Sequence, residues 1–62
     1  MSESEPLLTE SEAAKFLNIS SGTLRNWRCK GKGPAWIALG SAIRYAPGAL
    51  RKYIEISTRG AG

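Results

Sequence analysis

Polar and basic residues recur along residues 20–30 at a spacing that would place them on one face of a helix. At about 100° per residue, Arg25 and Asn26 point away from Leu24 and Trp27. Arginine and asparagine match the edges of guanine and adenine in the major groove of DNA, and small residues let the backbone approach phosphates. The pattern predicts a helix that reads DNA. Its expected groove residues are Ser21, Gly22, Thr23, Arg25, Asn26, Arg28 and Cys29.

A solvated helix face is the simpler explanation of two arginines. The rest of the chain therefore has to distinguish this explanation from DNA recognition. The composition excludes several alternatives. There is no histidine, Cys29 is the only cysteine, and four of the five carboxylates belong to the first 12 residues. The chain therefore lacks the usual ligands of a metal site and the residues of a catalytic triad. A chain of 62 residues also leaves little room for an enclosed active site. We expect a binding protein and not an enzyme, with no metal, cofactor or small-molecule substrate.

The charge is distributed unevenly. Residues 1–20 hold four Glu and one Lys, whereas residues 21–62 hold eight Lys or Arg and one Glu. A polyanion is the natural partner of the basic part. A lipid surface is the competing polyanion, but the cations are spread over several predicted elements and not along one amphipathic helix. No apolar run is long enough to span a bilayer and the start of the chain does not resemble a signal peptide, so we expect a cytoplasmic protein.

Two short helices are predicted in the first half of the chain. Thr9 and Glu12 have the spacing of a capping box that starts the first helix, and Asn18 tolerates the left-handed conformation that ends it. Ser20 is suited to cap the second helix and Gly31 to stop it. Two helices joined by about three residues form a helix-turn-helix. The packing side of the first helix is expected to be Ala13, Ala14, Phe16 and Leu17.

A β-hairpin is predicted next. Residues 35–39 and 42–45 hold aromatic or β-branched residues, and Gly40 and Ser41 form a two-residue connection suited to a type II′ turn. The pattern does not decide whether Trp36 or its neighbour in the first of these strands is more buried. We favour Trp36 as a core residue against the last helix; the alternative is an exposed docking surface. Trp27 is expected in the core.

A third helix is predicted to start at Pro47, with Leu50, Tyr53 and Ile54 closing the core. The predicted fold is therefore small α+β: a winged helix-turn-helix with two helices, a two-stranded wing and a C-terminal helix. It is expected to cover residues 7–56, between a flexible leader (1–6) and a flexible tail (57–62).

Four short motifs occur in one order along the chain: T-x-x-E-A-A from Thr9, S-x-x-T-L-x-x-W from Ser20, G-K-G-P from Gly31 and G-x-x-I-R-Y from Gly40. Together they make residues 7–45 resemble the excisionase-type, MerR-like winged helix-turn-helix family of small phage and mobile-element proteins. The resemblance implies that the second helix enters the major groove and that the wing approaches the adjacent minor groove or its phosphates.

The resemblance assigns Arg25, Asn26 and Arg28 to the groove, and Ser41, Arg44 and Tyr45 to the wing contacts. In that family the wing tip often carries a basic residue, which this sequence lacks, so Arg44 is left with a phosphate contact. The basic residues Lys30 and Lys32 are suited either to capping the end of the second helix or to binding phosphate. Tyr45 can pack its ring and offer its hydroxyl to phosphate, and Cys29 is either a contact for a thymine methyl or an inert thiol.

Three functions are compatible with these residues. The first is an excisionase, or recombination directionality factor: neighbouring copies bind double-stranded DNA at an attachment site in a bacterial host, bend it, and help a cognate integrase assemble for excision. The second is a small prophage-type transcriptional regulator that binds a promoter. The third is a protein-interaction module that uses the basic face on an acidic partner and Trp36 as an anchor.

Overall fold

Three helices and three short strands follow one another in the computed structural model, which describes residues 6–60. The elements are β1 (Leu8–Thr9), α1 (Glu10–Leu17), α2 (Ser21–Cys29), β2 (Ile37–Leu39), β3 (Ala42–Tyr45) and α3 (Pro47–Ser57). The predicted small α+β fold is confirmed at this level, with one additional strand. Residues 1–5 of the predicted leader and residues 61–62 of the predicted tail lie outside the described residues, and α3 extends one residue beyond the predicted end at 56.

The additional strand, β1, makes the sheet three-stranded instead of the predicted two-stranded wing. The strand order is β1-β3-β2, and both pairings are antiparallel. Leu8 pairs with Tyr45 and Thr9 pairs with Arg44. A two-residue strand has no periodicity of its own and forms here only because β3 offers it a partner far along the chain. As a result, the start of α1 is attached to the base of the wing.

Side-chain caps define the two helices of the helix-turn-helix, as predicted. The Thr9 hydroxyl accepts from the amide of Glu12 at 3.1 Å, and the Glu12 carboxylate accepts from the amide of Thr9 at 2.9 Å. Asn18 ends α1 in the left-handed conformation, with φ 60° and ψ 43°. The Ser20 hydroxyl then accepts from the amide of Thr23 at 3.1 Å and starts α2. Local hydrogen bonds therefore fix the positions at which both helices begin.

The core is built from every helix and from the central strand. Within the described residues, the buried core cluster consists of Ala13, Ala14, Leu24, Tyr45 and Leu50. Partly buried residues pack around them, namely Leu8, Leu17, Ile19, Trp27 and Ile43. Because α1 contributes only alanines to the centre, its backbone lies close to its neighbours.

Two residues predicted to pack in the core are exposed. Phe16 is 42% exposed, because on a helix it lies at the margin of the side shared by Ala13, Ala14 and Leu17. Ile54 is 45% exposed; it lies one turn beyond Leu50, at an open groove that it lines with Leu17 and Trp27. The apolar spacing correctly predicted both helices, but fewer of their apolar side chains are buried than it predicted.

We expect Gly33→Ala to destabilise the fold more than Gly31→Ala, by about 1–3 kcal/mol. Both glycines have positive φ, 83° and 73° respectively, so alanine is strained at either position. Only at Gly33 would the new Cβ also meet a neighbour, at 3.0 Å from Cε3 and 3.2 Å from Cβ of Trp27. Urea unfolding of the two variants, compared at equal m-values, measures the difference. Equal midpoints would show that Trp27 moves aside without cost.

Candidate nucleic-acid interface

The outward side of α2 is a continuous polar surface. Leu24, on the opposite side, is 1% exposed, and Trp27 is half-buried against the core. The exposed residues of the surface are Ser21, Gly22, Thr23, Arg25, Asn26, Cys29 and Lys30. The division of α2 into a packed and an exposed side, predicted from helical spacing, is therefore present.

The inner side of α2 is held by large side chains. The ring of Trp27 lies 5.8 Å from the ring of Tyr53 on α3, with an interplanar angle of 54°. Aromatic pairs in such a tilted arrangement stabilise a protein beyond the contribution of the apolar area that they bury. Because α2 is fixed from within, its exposed side chains project from a rigid support into solvent.

The first turn of α2 has its hydrogen bonds in place. The Ser20 hydroxyl accepts from the amide of Thr23 and donates to the Thr23 hydroxyl at 2.9 Å. Gly22 lies at this end in open space: a Cβ added there would have the Ser20 hydroxyl, 3.9 Å away, as its nearest neighbour. The surface at the helix start is thus made of small groups, which would allow a DNA backbone to come close.

Arg28 faces the start of α1 and not the exposed side of α2, which corrects its predicted placement in the groove. Its Nε donates to Glu10 Oε2 at 3.0 Å, and the two side chains are only 20% and 21% exposed. This hydrogen bond raises the pKa of Arg28 above its ordinary value. The guanidinium carbon also lies 5.5 Å from the centre of the Trp36 ring. The charge of Arg28 is therefore balanced within the protein.

Tyr45 is fully buried, so its predicted contact with phosphate is wrong. Its hydroxyl donates to Glu10 Oε2 at 3.4 Å. Burial raises the pKa of the Tyr45 hydroxyl, and the negative charge of Glu10 adds to this effect. Tyr45 ends β3 where β1 pairs with it, and its side chain lies in the core.

The tip of the wing carries no charge. Gly40 has φ 64° while Ser41 keeps negative φ, as a type II′ turn requires. Ser41 is exposed and Leu39 is 53% exposed, whereas Arg44 is half-buried in the central strand. One terminal nitrogen of Arg44 donates to the carbonyl of Ile43 at 2.8 Å. Arg44 therefore lies at the base of the wing.

Trp36 is 41% exposed, so the prediction that it packs in the core against α3 is wrong. Its neighbour Ile37 is half-buried and is the more covered of the two. The ring of Trp36 contacts the guanidinium of Arg28. A period-two pattern alone did not distinguish these positions, because their burial depends on which side of the sheet α1 packs against.

Comparison with known protein families matches residues 7–55 to the model described as helix-turn-helix domain. The chain belongs to this family. Helix-turn-helix domains of this family bind DNA and are found in excisionase-like proteins. No curated protein matches the sequence significantly. Within residues 6–60, none of the helices is long and apolar enough to cross a membrane.

Two lysines extend the basic surface of this helix-turn-helix domain past the end of α2. The amide of Lys30 donates to the carbonyls of Asn26 and Trp27 at 3.1 Å, and the amide of Lys32 donates to the carbonyl of Trp27 at 2.8 Å. Backbone groups therefore close the helix, and the exposed lysine side chains are not needed as caps. This leaves both ammonium groups available for an anionic partner.

Proposed function

We propose that this helix-turn-helix protein binds double-stranded DNA sequence-specifically, bends it at an attachment site, and directs a cognate integrase of a phage or mobile element towards excision. The observation that carries the proposal is the surface of α2. It presents Arg25 and Asn26 on an exposed side while Leu24 anchors the other side in the core. A rigid helix with bidentate donors and acceptors on its free side is suited to reading base edges in the major groove.

The two polar side chains have separate roles in this proposal. Arg25 pairs with a guanine and Asn26 with an adenine, because each matches the donor and acceptor pattern of that base. Ser21, Gly22 and Thr23 approach the sugar-phosphate backbone through the small groups at the helix start. Cys29 lies on the same exposed side and contacts a thymine methyl.

Phosphate contacts come from the edges of this surface. Lys30 and Lys32 reach the backbone beyond the end of α2, and Ser41 and Arg44 contact it from the wing. These contacts fix the position of the protein on the duplex and release counterions without reading sequence. Arg28 and Tyr45 take no part, since both are engaged by Glu10.

An architectural role agrees with the size of the domain. Its longest dimension is 41 Å, so one copy covers roughly one turn of duplex, which is about 34 Å. Bending a site of two or three turns costs on the order of 1–6 kcal/mol. Several neighbouring copies that bind together can supply this energy more readily than one copy. The chemistry of strand exchange would belong to the integrase.

A footprint on DNA from the element that encodes the protein tests the proposal. The purified full chain is titrated against tiled fragments that include the attachment site and the promoters. Protection that begins at one site and lengthens stepwise over the attachment arm, with bending in a circular-permutation assay, is the expected result. A short symmetrical footprint confined to a promoter would instead identify a transcriptional regulator. Equal protection of all fragments would show that binding is not sequence-specific.

We expect Lys32→Ala to weaken binding to specific and random duplexes by the same factor. Lys32 follows α2 and carries a free charge but has no bidentate geometry, so it contributes one phosphate contact. The slope of log K against log salt should fall by about 1 in magnitude. The matched control is Lys15→Ala, which removes an exposed lysine from α1 and should leave the slope unchanged. A loss restricted to the specific site would mean that Lys32 reads a base.

A further inference from the structure

One carboxylate oxygen joins three elements of the fold. Oε2 of Glu10 accepts from Nε of Arg28 at 3.0 Å and from the hydroxyl of Tyr45 at 3.4 Å. Glu10 is the first residue of α1, Arg28 lies in the last turn of α2, and Tyr45 is the last residue of β3. Helix capping does not explain this arrangement, because Thr9 and Glu12 already form the capping box of α1.

The surroundings of Glu10 limit its movement. The preceding residue, Thr9, is paired with Arg44 of β3 through the backbone of β1. Tyr45 is fully buried, so the hydroxyl that reaches Glu10 projects from a fixed side chain. Glu10 is thereby held to the sheet from two directions, and whatever it binds is held to the sheet as well.

What Glu10 binds is the end of α2. Leu24 and Trp27 hold the inner side of this nine-residue helix, and Arg28 adds a polar contact in its last turn. Arg28 lies on the flank that faces the sheet, with Trp36 on its other side at 5.5 Å. Hydrogen bonds between charged groups are short and directional, and those shielded from water are the stronger ones. The contact therefore joins the end of α2 to the first residue of α1.

We propose that Glu10 is a positioning residue for DNA recognition, which fixes the orientation of α2 relative to the wing by binding Arg28 and Tyr45 through one oxygen. Its effect on DNA rests on the proposed function; its effect on orientation does not. Base contacts from α2 and backbone contacts from the wing have to be made at the same time, so an error in this angle weakens specific binding selectively.

The first experiment measures orientation without DNA. Residual dipolar couplings of backbone amides are recorded for the full chain and for Glu10→Ala, with Glu55→Ala as a control that removes an exposed carboxylate from α3. In the wild type and in Glu55→Ala, the couplings of α2 and of the sheet should fit one common structure. In Glu10→Ala each element should fit alone but the two should no longer fit together. A common fit in all three proteins would overturn the proposal.

The second experiment measures specificity. Both variants remove one negative charge and should strengthen binding to random duplexes, and Glu10→Ala should do so more because it also releases Arg28. Glu10→Ala should reduce the ratio of specific to random affinity about tenfold, the size of effect expected on losing one charge-assisted hydrogen bond. Glu55→Ala should leave that ratio unchanged. Equal ratios in the two variants would overturn the role in recognition. Absence of any sequence preference in the wild type would instead refute the proposed function. The dipolar couplings would still test whether Glu10 fixes the orientation of α2.

Milder variants decide the matter if Glu10→Ala does not fold. Glu10→Gln keeps an oxygen acceptor and should restore the common fit, whereas Arg28→Gln and Tyr45→Phe each remove one partner and should disturb it. If neither Arg28→Gln nor Tyr45→Phe changes the couplings, the proposal is wrong. Arg28→Gln should also leave the salt dependence of binding unchanged; a slope lower by about 1 would assign Arg28 to phosphate and contradict its engagement by Glu10.

Discussion

Leu24→Ala is expected to leave the protein largely unfolded at room temperature. The side chain is 1% exposed and is the only fully buried residue that α2 contributes to the core within the described residues. Truncation of a buried leucine costs about 2–5 kcal/mol, because apolar contacts are lost and the cavity only partly collapses. A chain of 62 residues buries a small core and has a stability of similar size. One substitution can therefore remove most of it.

Circular dichroism with thermal and urea unfolding measures the effect. Ile56→Ala is the control, since it also removes aliphatic carbons from a helix but at a side chain that is 69% exposed. Its melting curve should match that of the wild type. If Leu24→Ala melted normally, α2 would not depend on the core for its position, and the core would not be the support of its exposed side.

Local signals predicted most of this fold. The capping box of Thr9 and Glu12, the left-handed Asn18 and the Ser20 cap each depend on neighbours within four residues, and each is present as predicted. The hairpin connection Gly40-Ser41 is local in the same sense. Short-range geometry determines such features almost completely, so they can be predicted from one sequence.

The features that were missed depend on distant partners. Glu10 meets Arg28 across 18 residues and Tyr45 across 35 residues. From the sequence alone, Arg28 has the same residue type as Arg25 and lies on the flank of the same helix, and nothing local distinguishes an arginine that binds a carboxylate from one that is free. Strand β1 was missed for the same reason, since its partner is β3. One signal was Glu10, an acidic residue at the first position of α1 that the capping box does not use, but helix-dipole effects explain that position equally well.

Arg25→Ala should reduce affinity for the specific site by about 1–3 kcal/mol and relax the preference at one base position only. With Arg28 engaged by Glu10, Arg25 is the only arginine of α2 that lies on its exposed side. Binding to random duplexes should fall far less, because that binding comes from phosphate contacts. Affinities for a set of duplexes that carry every single-base change in the footprinted site measure both quantities.

Arg25→Lys separates base reading from charge in the same assay. Lysine keeps the positive charge but lacks the planar pair of donors that guanine accepts. If Arg25 reads a base, Arg25→Lys should lose the preference at that position and keep the salt dependence of the wild type. If Arg25→Lys behaved like the wild type at every position, Arg25 would be a phosphate contact. Equal losses on specific and random DNA in Arg25→Ala would lead to the same conclusion, and base recognition would then have to come from Asn26 or from the shape of the DNA.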